Sequence, residues 1–590
     1  MTDGQESNWF ESFAGALLSH DISSILDFFI EDCYWRDLLA FTWNIKTLEG
    51  KAAIAAMLES QIRGVGPTNL RLLGGTTDTG TSTEVWFTFE TSLARCDGIL
   101  RLKDGRCRTI LTVMRELKGF EEKAGATREL GLKHQASPRR ETWLEARRRE
   151  EAELGRTKQP YCVIIGGGQG GIALGARLNQ LKVPTLIIDR NARPGDSWRN
   201  RYKSLVLHDP VWFDHLPYIP FPEHWPVFTP KDKMGDWLEM YVKVMELNYW
   251  SSAECLAAAY DRNQKIWSVE VQHAGERFTL KPRQLVFATG AYGPPRDIEL
   301  PGLKNYSGEL IHSSRYSDGG RFANKRCVVI GAASSGHDVS VDLWESGAAV
   351  TMIQRSPTTV VKSETLRELG FENFSQRAVD RGVTTDKADM LMASTPFALL
   401  PEAHKKLYDA IRARDADFYE RLEASGFAID FGPDESGLSL KALRTGSGYY
   451  IDVGASDLII NGDIRVKSGV AIDRLTKHGI LFQDGEEIRA EAIISCIGYQ
   501  SMHEAVAVIV SREVADAVGP CWGLGSGTKG DPGPWQGELR NMWKPTTQEA
   551  LWFQGGNLAL TRFYSKILAL QIKARMEAIP TPVYQDPVMR

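Results

Sequence analysis

A glycine-rich loop followed by an acidic residue carries the clearest chemical pattern in this 590-residue sequence. An apolar run ends at Ile165 and is followed by Gly166-x-Gly168-x-x-Gly171, which opens an apolar helix. Glycines at this spacing permit a tight turn, let backbone amides approach a pyrophosphate, and let the helix pack on the strand. The helix N-terminus adds the positive end of its dipole. The next strand ends at Asp189, where a carboxylate can hold a ribose hydroxyl, so the pattern predicts a dinucleotide site.

A second loop with related spacing lies further along the chain. Residues 331–336, Gly-Ala-Ala-Ser-Ser-Gly, follow the apolar strand 326–330. Ala333 replaces the middle glycine, which weakens the motif because a methyl group stands where a pyrophosphate must come close. The strand after this loop ends in Gln354 and Arg355 and carries no carboxylate. Since a cation suits a 2′-phosphate, this loop is predicted to bind NADPH rather than NADH.

Two dinucleotide sites in one chain suggest a division of labour. One nucleotide would be bound permanently and the other would exchange, which is the arrangement of FAD and NADPH in flavin oxidoreductases. Strands alternate with helices around both loops, which is typical of doubly wound α/β domains. We therefore expect two Rossmann-type domains, one for FAD and one for NADPH.

The first part of the chain has a different pattern. Residues 1–117 begin with helical spacing of apolar residues and continue with strand-like segments at 85–89, 98–102 and 109–114, which predicts a small α+β domain. A charged stretch follows and reads as an exposed helical linker. The expected domains are 1–117 (α+β), 118–158 (linker), 159–300 (first part of the FAD domain), 301–490 (NADPH domain) and 491–590 (second part of the FAD domain).

Composition excludes several other classes. The 70 basic residues are scattered among 75 acidic ones for a net charge of -5, so nucleic acid is not an expected partner. No apolar run is long enough to span a bilayer, and the N-terminus does not resemble a signal peptide. Eight dispersed cysteines without a C-x-x-C pair favour a reducing, cytoplasmic location and no metal site.

Five short motifs follow one another in a characteristic order between residues 160 and 575. Beside the first glycine loop, they are Gly195-Asp196-Ser197-Trp198-Arg199, the run Phe287-Ala288-Thr289-Gly290-Ala291-Tyr292-Gly293-Pro294, Tyr306-x-Gly308-x-x-x-His312-x-x-x-Tyr316, Cys496-Ile497-Gly498-Tyr499, and Leu551-Trp552-Phe553-Gln554-Gly555-Gly556-Asn557. In this order they resemble the class B flavin-containing monooxygenases, the class that also contains Baeyer–Villiger and N-hydroxylating enzymes.

This resemblance implies a mechanism and a set of cofactor-binding residues. NADPH would reduce FAD, O2 would add to the flavin as a C4a-(hydro)peroxyflavin, and one oxygen atom would pass to a small organic substrate. The protein would supply mainly positioning and exclusion of water. The implied cofactor-binding residues are Gly166, Gly168, Gln169, Gly170, Gly171, Asp189, Arg190, Ser197, Trp198, His208, Thr289, Gly290, Gly331, Ala333, Ser334, Ser335, Gly336, Arg355, Gly498, Tyr499, Gly555 and Asn557.

Two side chains are candidates for a direct part in catalysis, His208 and Asn557. The run from Trp198 to His208 is similar to plant YUCCA-type and related microbial enzymes, in which histidine replaces the asparagine found near the flavin elsewhere in the class. That similarity favours an aromatic 2-oxo acid that loses CO2, with nitrogen or sulfur oxidation nearly as well supported. Tyr316 stands where Baeyer–Villiger enzymes usually have tryptophan, which disfavours ketone oxidation. A non-catalytic flavoprotein interaction module is the alternative from another class.

The N-terminal residues resemble a SnoaL/NTF2-like cone, on the run Trp35-Arg36-Asp37-Leu38 and the glycine at position 50. Such cones are catalytic in some proteins and scaffolds in others. A scaffold is the favoured role here, with a homodimer through this domain as one expectation and Asp37 as a candidate acid–base residue.

Overall fold

The computed structural model describes residues 3–74, 77–78, 80–131, 138–290 and 292–585. Ala291, and residues 132–137 of the expected linker, lie outside the described residues. Within the described part, no helix combines the length and the apolar character needed to cross a membrane.

The N-terminal domain is a curved sheet with three helices. Its elements are α1 (Asp3–Ser19), α2 (Ile22–Asp27), β1 (Phe29–Leu38), β2 (Ile45–Glu49), α3 (Gly50–Val65), β3 (Thr68–Leu72), β4 (Thr77–Asp78), β5 (Thr83–Glu90), β6 (Ala94–Lys103) and β7 (Arg106–Leu117). The sheet order is β2-β1-β7-β6-β5-β3, with β4 paired to β5. The α+β composition is as predicted, and the NTF2-like interpretation stays a prediction.

In the described part of the connection to the next domain, the chain forms the α-helix α4 (Trp143–Glu153). The helix starts in a capping box, in which Thr142 accepts from the Glu145 amide and Glu145 accepts from the Thr142 amide. Among the described residues of the stretch predicted to be a helical linker, α4 is therefore the α-helix, and a short 3-10 helix at Gly125–Thr127 precedes it.

The first α/β unit begins with buried parallel strands. Its elements are β8 (Cys162–Ile165), α5 (Gln169–Gln180), β9 (Thr185–Ile188), α6 (Asp196–Arg199), α7 (Lys231–Val244), β10 (Tyr249–Trp250), β11 (Ala253–Asp261), β12 (Ile266–His273), β13 (Glu276–Leu280) and β14 (Gln284–Phe287). Every residue of β8, β9 and β14 is buried, as expected for strands covered on both faces. The strands β11, β12 and β13 form a separate antiparallel meander.

The second α/β unit is inserted into the first. Its elements are β15 (Tyr292–Pro295), β16 (Glu309–His312), β17 (Arg326–Ile330), α8 (Ser334–Glu345), β18 (Ala349–Gln354), β19 (Thr359–Lys362), α9 (Ser363–Leu369), α10 (Gln376–Asp380), α11 (Thr385–Ala393), α12 (Leu400–Arg414), α13 (Ala416–Ala424), α14 (Gly437–Thr445), β20 (Tyr449–Asp452), α15 (Ala455–Ile460), β21 (Ile464–Ser468), β22 (Ile472–Leu475), β23 (Gly479–Phe482), β24 (Glu487–Arg489) and β25 (Ala492–Ser495). Its parallel sheet has the order β16-β25-β17-β18-β21.

The chain then returns to the first unit. The elements are β26 (Tyr499–Ser501), α16 (His503–Ile509), α17 (Arg512–Val518), β27 (Leu551–Phe553) and α18 (Leu558–Met576). Strand β26 pairs with β15, so the outgoing and returning crossings lie side by side. Strand β27 completes the first parallel sheet, β10-β9-β8-β14-β27. The fold class is confirmed as two dinucleotide-binding α/β units.

The N-terminal domain is joined to the rest by a desolvated ion pair. Arg36 on β1 donates from Nε and Nη2 to the two carboxylate oxygens of Glu538, at 2.7 Å each, and both side chains are almost fully buried. Burial disfavours the charged guanidinium, but Glu538 outweighs it and raises the pKa of Arg36. Thr47 also donates to Glu538, at 2.7 Å. A continuous buried apolar cluster connects this domain with the first α/β unit, so the domain is packed onto the core.

Arg36→Ala should destabilise the protein by about 3–5 kcal/mol because it leaves the Glu538 carboxylate buried without its partner. Arg115 pairs with Asp97 at 2.9 Å within the same sheet, where both side chains are partly exposed. Arg115→Ala is therefore the matched control, with an expected cost below about 1 kcal/mol. Denaturant unfolding followed by tryptophan fluorescence measures both, and equal small effects would contradict the account.

Candidate functional site

The first glycine loop is shaped by two close backbone approaches. Gly166 has φ +105°, and a Cβ there would lie 2.4 Å from the carbonyl oxygen of Ala288. A Cβ on Gly171 would lie 2.0 Å from the carbonyl oxygen of Gly166. Real carbon atoms do not come so close to a carbonyl oxygen, so the protein itself requires glycine at both positions.

Gly168 has a different reason for being glycine. Its φ is -76°, which any residue adopts, and the nearest atom to a Cβ there would be Ser197 Oγ at 3.6 Å. The fold would accept a methyl group at this position, so packing does not require glycine. The space beside Gly168 belongs to the cleft that this residue lines. Helix α5 begins at the next residue with its amides directed to the same place. This arrangement fits a pyrophosphate held against the loop.

Asp189 closes the first site at the end of β9. One carboxylate oxygen accepts from the Gly167 amide at 2.6 Å and the other accepts from the Asn191 amide at 2.8 Å. The side chain is 8% exposed and lines the cleft. A carboxylate has about four acceptor positions, so these two bonds leave capacity for a ribose hydroxyl.

The second glycine loop repeats the geometry of the first. Gly331 has φ +118°, and a Cβ there would lie 2.4 Å from the carbonyl oxygen of Cys496. A Cβ on Gly336 would lie 2.0 Å from the carbonyl oxygen of Gly331. Ala333 precedes α8 as its N-cap residue, and Arg355 is exposed just after β18. The second loop therefore has glycine at the two positions that packing requires, Gly331 and Gly336. It has alanine only at position 333, which would face a pyrophosphate.

Both loops open into one cleft of ≈ 4170 Å³, whereas a typical small-molecule site measures about 300–1,000 Å³. The space is sufficient for two dinucleotides and a substrate. All the sequence-predicted cofactor residues line it except Gly171 and Gly336, which pack their helices against the loops. The lining residues are Gly166, Gly168, Gln169, Gly170, Asp189, Arg190, Ser197, Trp198, His208, Thr289, Gly290, Gly331, Ala333, Ser334, Ser335, Arg355, Gly498, Tyr499, Gly555 and Asn557.

His208 lines the cleft between carboxylates from both units. Asp209 is its chain neighbour, and Asp338 projects from α8 of the second unit. Burial raises the pKa of both carboxyl groups above the usual value, and the nearby His208 offsets only part of this rise. Tyr202 donates to Asp338 at 2.5 Å. The histidine thus stands where the two nucleotide units meet.

His312 organises the crossing between the units. Its Nδ1 accepts from the Ser314 amide at 3.0 Å, and its Nε2 lies 3.0 Å from the carbonyl oxygen of Gly498. Both ring nitrogens are engaged by neighbouring backbone, so this histidine of the sequence fingerprint positions the returning chain.

The C-terminal segment brings one group that sequence reasoning missed. Asn557 is the N-cap of α18, and its Oδ1 accepts from the Leu560 amide at 2.9 Å. Gln554 lies just before it, is completely buried, and belongs to the cleft lining. Among the described residues, neither its amide nitrogen nor its amide oxygen has a hydrogen-bond partner. A buried amide of this kind fits a ligand with polar edges, such as a flavin ring. The signal in the sequence that could have identified Gln554 was a single glutamine directly after an apolar strand.

Two further observations concern other candidate chemistries. Asp37 accepts from Thr112 Oγ1 at 2.5 Å, from Thr42 Oγ1 at 2.6 Å and from the Phe41 and Thr42 amides, and it does not belong to the cleft lining. It therefore ties β1 to its turn, and the suggested acid–base role of Asp37 stays a prediction. Cys255 and Cys496 line the cleft, and burial raises the pKa of each thiol to about 12, which disfavours thiolate chemistry.

Sequence reasoning also missed the N-terminal contribution to the cleft. Side chains from β1 and β5 to β7 form part of its wall, although they precede both glycine loops by many residues. They include Arg36, Glu84, Arg101, Lys103 and Arg108.

Comparison with known proteins agrees with this geometry. Residues 163–391 match the family model described as pyridine nucleotide-disulphide oxidoreductase. The indole-3-pyruvate monooxygenase YUCCA1 of Oryza sativa subsp. japonica is 32% identical over 62% of this chain and 79% of its own length. The probable indole-3-pyruvate monooxygenase YUCCA1 of Arabidopsis thaliana is 30% identical over 58% and 75%.

A solved structure described as OTEMO in complex with FAD and NADP covers 72% of this chain and 86% of its own, at 20% identity and a TM-score of 0.50. At this identity the likeness concerns the fold. The sequence relatives establish the family: the chain belongs to the class B flavin-dependent monooxygenases, in the family that contains the YUCCA proteins. The resemblance inferred from the motifs is confirmed.

Gly168→Ala should leave the apoprotein folded, because the added methyl group meets nothing closer than 3.6 Å. It should weaken FAD binding at least about tenfold, equivalent to 1.4 kcal/mol, because the methyl group occupies the space of the pyrophosphate. Titration of the apoprotein with FAD, followed by flavin fluorescence, measures the affinity.

Gly171→Ala is the matched variant. It should lower the thermal midpoint of the apoprotein itself, because its methyl group would lie 2.0 Å from a backbone oxygen. Unchanged FAD affinity in Gly168→Ala would show that the first loop does not hold the cofactor.

Proposed function

We propose that this protein is an NADPH-dependent flavin monooxygenase that transfers one oxygen atom from O2 to a small organic substrate, with an aromatic 2-oxo acid as the favoured class. The observation that carries the proposal is the single cleft that joins both glycine loops. When bound, FAD would supply the redox chemistry, taking a hydride from NADPH and passing electrons to O2.

The residues of the first unit are suited to hold FAD. The Gly168 space and the α5 N-terminus would bind the pyrophosphate, and Asp189 would bind a ribose hydroxyl. The unpaired amide of Gln554, next to Gly555, would reach polar edges of the flavin ring. These residues converge on the first glycine loop from β9, α5 and the segment before α18.

The residues of the second unit are suited to hold NADPH. The loop from Gly331 to Gly336 opens α8, and Arg355 offers a guanidinium where a 2′-phosphate would lie. The methyl group of Ala333 would set the nucleotide slightly further from the loop than FAD is from its own. A looser fit suits a nucleotide that must leave after each turnover.

His208 is the side chain best placed to act at the reacting atoms. It lines the cleft where the units meet and lies near the carboxyl groups of Asp209 and Asp338. A histidine there can donate a hydrogen bond to an oxygen atom beside the flavin and can return a proton through its neighbours. Asn557 is engaged as a helix cap, and through this bond it would fix the start of α18 at the cleft.

The substrate class rests on the cleft lining and on the relatives. Phe213 contacts Phe371 and Phe374 at ring-centroid distances of 5.3 and 4.8 Å, and all three rings line the cleft. Phe397 and Phe563 extend this apolar lining. An aromatic ring would be well accommodated. The relatives from Oryza sativa and Arabidopsis thaliana are named for monooxygenation of indole-3-pyruvate, an aromatic 2-oxo acid, and we carry that chemistry to this chain as part of the proposal.

Arg355→Ala should weaken NADPH binding about 10- to 150-fold, because a charge-assisted hydrogen bond contributes roughly 1.5–3 kcal/mol. NADH binding should change little, since NADH has no 2′-phosphate. Arg465 lies on the neighbouring strand β21, outside the cleft lining, so Arg465→Ala is the control. Anaerobic flavin reduction at varied cofactor concentrations gives the affinities. Equal weakening of NADH and NADPH would refute a 2′-phosphate contact.

Indole-3-pyruvate should increase NADPH consumption and lower the ratio of H2O2 released to NADPH oxidised, with CO2 as a product. A thioether, a tertiary amine and a cyclic ketone serve as comparison substrates under the same conditions. The ratio and the products are measured with purified protein reconstituted with FAD. Coupling with the thioether or the amine alone would exclude the 2-oxo acid and assign heteroatom oxidation instead.

A further inference from the structure

Helix α11 ends against the N-terminal domain without a cation of its own. The carbonyl groups at a helix C-terminus lack partners and carry the negative end of the dipole, which basic residues of the last turn commonly stabilise. Within this fully described helix, the last turn contains no basic residue. Ser394 follows as the C-cap residue.

Two arginines of the N-terminal sheet supply the missing cations. Arg36 Nη1 donates to the carbonyl oxygen of Ala393 at 2.6 Å. Arg101 Nη2 donates to Ser394 Oγ at 2.6 Å, and its Nη1 donates to the Ser394 carbonyl at 3.3 Å. The end of α11 is therefore capped by another domain.

Each arginine also has partners outside α11 that hold its guanidinium in place. Arg36 is fixed by Glu538 and by the hydroxyl of Tyr564, which lies 2.9 Å from Nη2. Arg101 donates to Glu84 at 3.2 Å, and Trp86 Nε1 donates to the same carboxylate at 2.8 Å. Each guanidinium is thus held by groups that do not belong to α11.

The opposite side of α11 is fixed to the first unit. Asp389 accepts from Arg562 Nε and Nη2 at 2.8 and 2.7 Å, and both side chains are buried. Arg562 Nη1 also donates to the carbonyls of Phe213 and His215, at 2.7 and 2.8 Å. Helix α11 of the second unit is thus held between the N-terminal domain and α18.

We propose that the N-terminal domain is a clamp that sets the substrate end of the cleft, with Arg36 and Arg101 as positioning residues. The clamped helix contributes Leu391 and Met392 to the cleft wall, and Arg36 and Arg101 belong to that wall themselves. This inference rests on the proposed monooxygenase function and assigns the N-terminal domain a part in it beyond that of a scaffold.

The physical consequence of loosening the clamp is specific. A mobile α11 would widen the apolar part of the cleft, weaken substrate binding and admit water. The glycine loops lie on other elements, so FAD binding and reduction by NADPH would be little affected. The expected signature is a raised KM for the organic substrate with increased H2O2 release.

Arg101→Met keeps the aliphatic packing and removes the hydrogen bonds to Ser394, and Arg115→Met is the control within the same sheet. We expect Arg101→Met to raise the KM for the organic substrate about 3- to 10-fold. This change corresponds to the loss of roughly 0.7–1.4 kcal/mol of hydrogen-bond free energy. The ratio of H2O2 to NADPH should also rise, while FAD content and the anaerobic reduction rate stay unchanged. Arg101→Lys should restore part of the coupling, because its ammonium group can reach the same carbonyl.

Ser394→Ala is the second variant, which removes one acceptor without touching the N-terminal domain. Ser394→Ala should also raise the KM and the ratio of H2O2 to NADPH, but by less than Arg101→Met. If Arg101→Met does not retain flavin, the result with Ser394→Ala tests the proposal. Arg101→Met and Ser394→Ala behaving like Arg115→Met would overturn the clamp. Failure of the proposed function looks different, since the wild-type protein would then form no oxygenated product at all.

Discussion

A close contact between a glycine and a crossing backbone, made twice, is the constraint on which the rest of the structure depends. Gly166 lies against the carbonyl of Ala288, and Gly331 lies against the carbonyl of Cys496. In each unit the loop leaves one parallel strand and passes directly over the end of its neighbour, β14 beside β8 and β25 beside β17. A side chain at either glycine would push the loop away from the sheet and close the space where a nucleotide binds.

The two crossings between the units follow from this arrangement. Strand β15 follows β14 of the first sheet, and β26 follows β25 of the second sheet. The two strands pair with each other, and the glycine loops open into a shared cleft. His312 ties the crossing to Gly498, and His208 stands near Asp338 of the opposite unit. The reacting end of the cleft is therefore built from short segments that the sheets hold in place, as is common for sites at the carboxyl edge of parallel sheets.

Local sequence patterns predicted both glycine loops and the strands and helices beside them, because each loop is formed by residues that are close together in the chain. The strand predicted to end at Asp189 and the strand predicted at 326–330 agree with the structure, and Gly171 and Gly336 serve helix packing as their motif predicts. Long-range partners could not be predicted. Arg36 appeared only as part of a marker for the N-terminal domain, whereas its partner Glu538 lies at the far end of the sequence. The charged stretch after residue 117 suggested only an exposed linker, and it did not show that a continuous apolar cluster joins the N-terminal domain to the first unit. Charge and periodicity report exposure within a segment and do not identify what the segment packs against.

The central claim is that this cleft uses NADPH and O2 to place one oxygen atom on an organic substrate. The most direct measurement is turnover under ¹⁸O2 with NADPH and indole-3-pyruvate, followed by mass spectrometry of the organic product and quantification of H2O2. We expect one ¹⁸O atom in the carboxylic acid product, release of CO2, and less H2O2 than NADPH consumed. Organic products without label from any tested substrate, with H2O2 equal to the NADPH consumed, would contradict it.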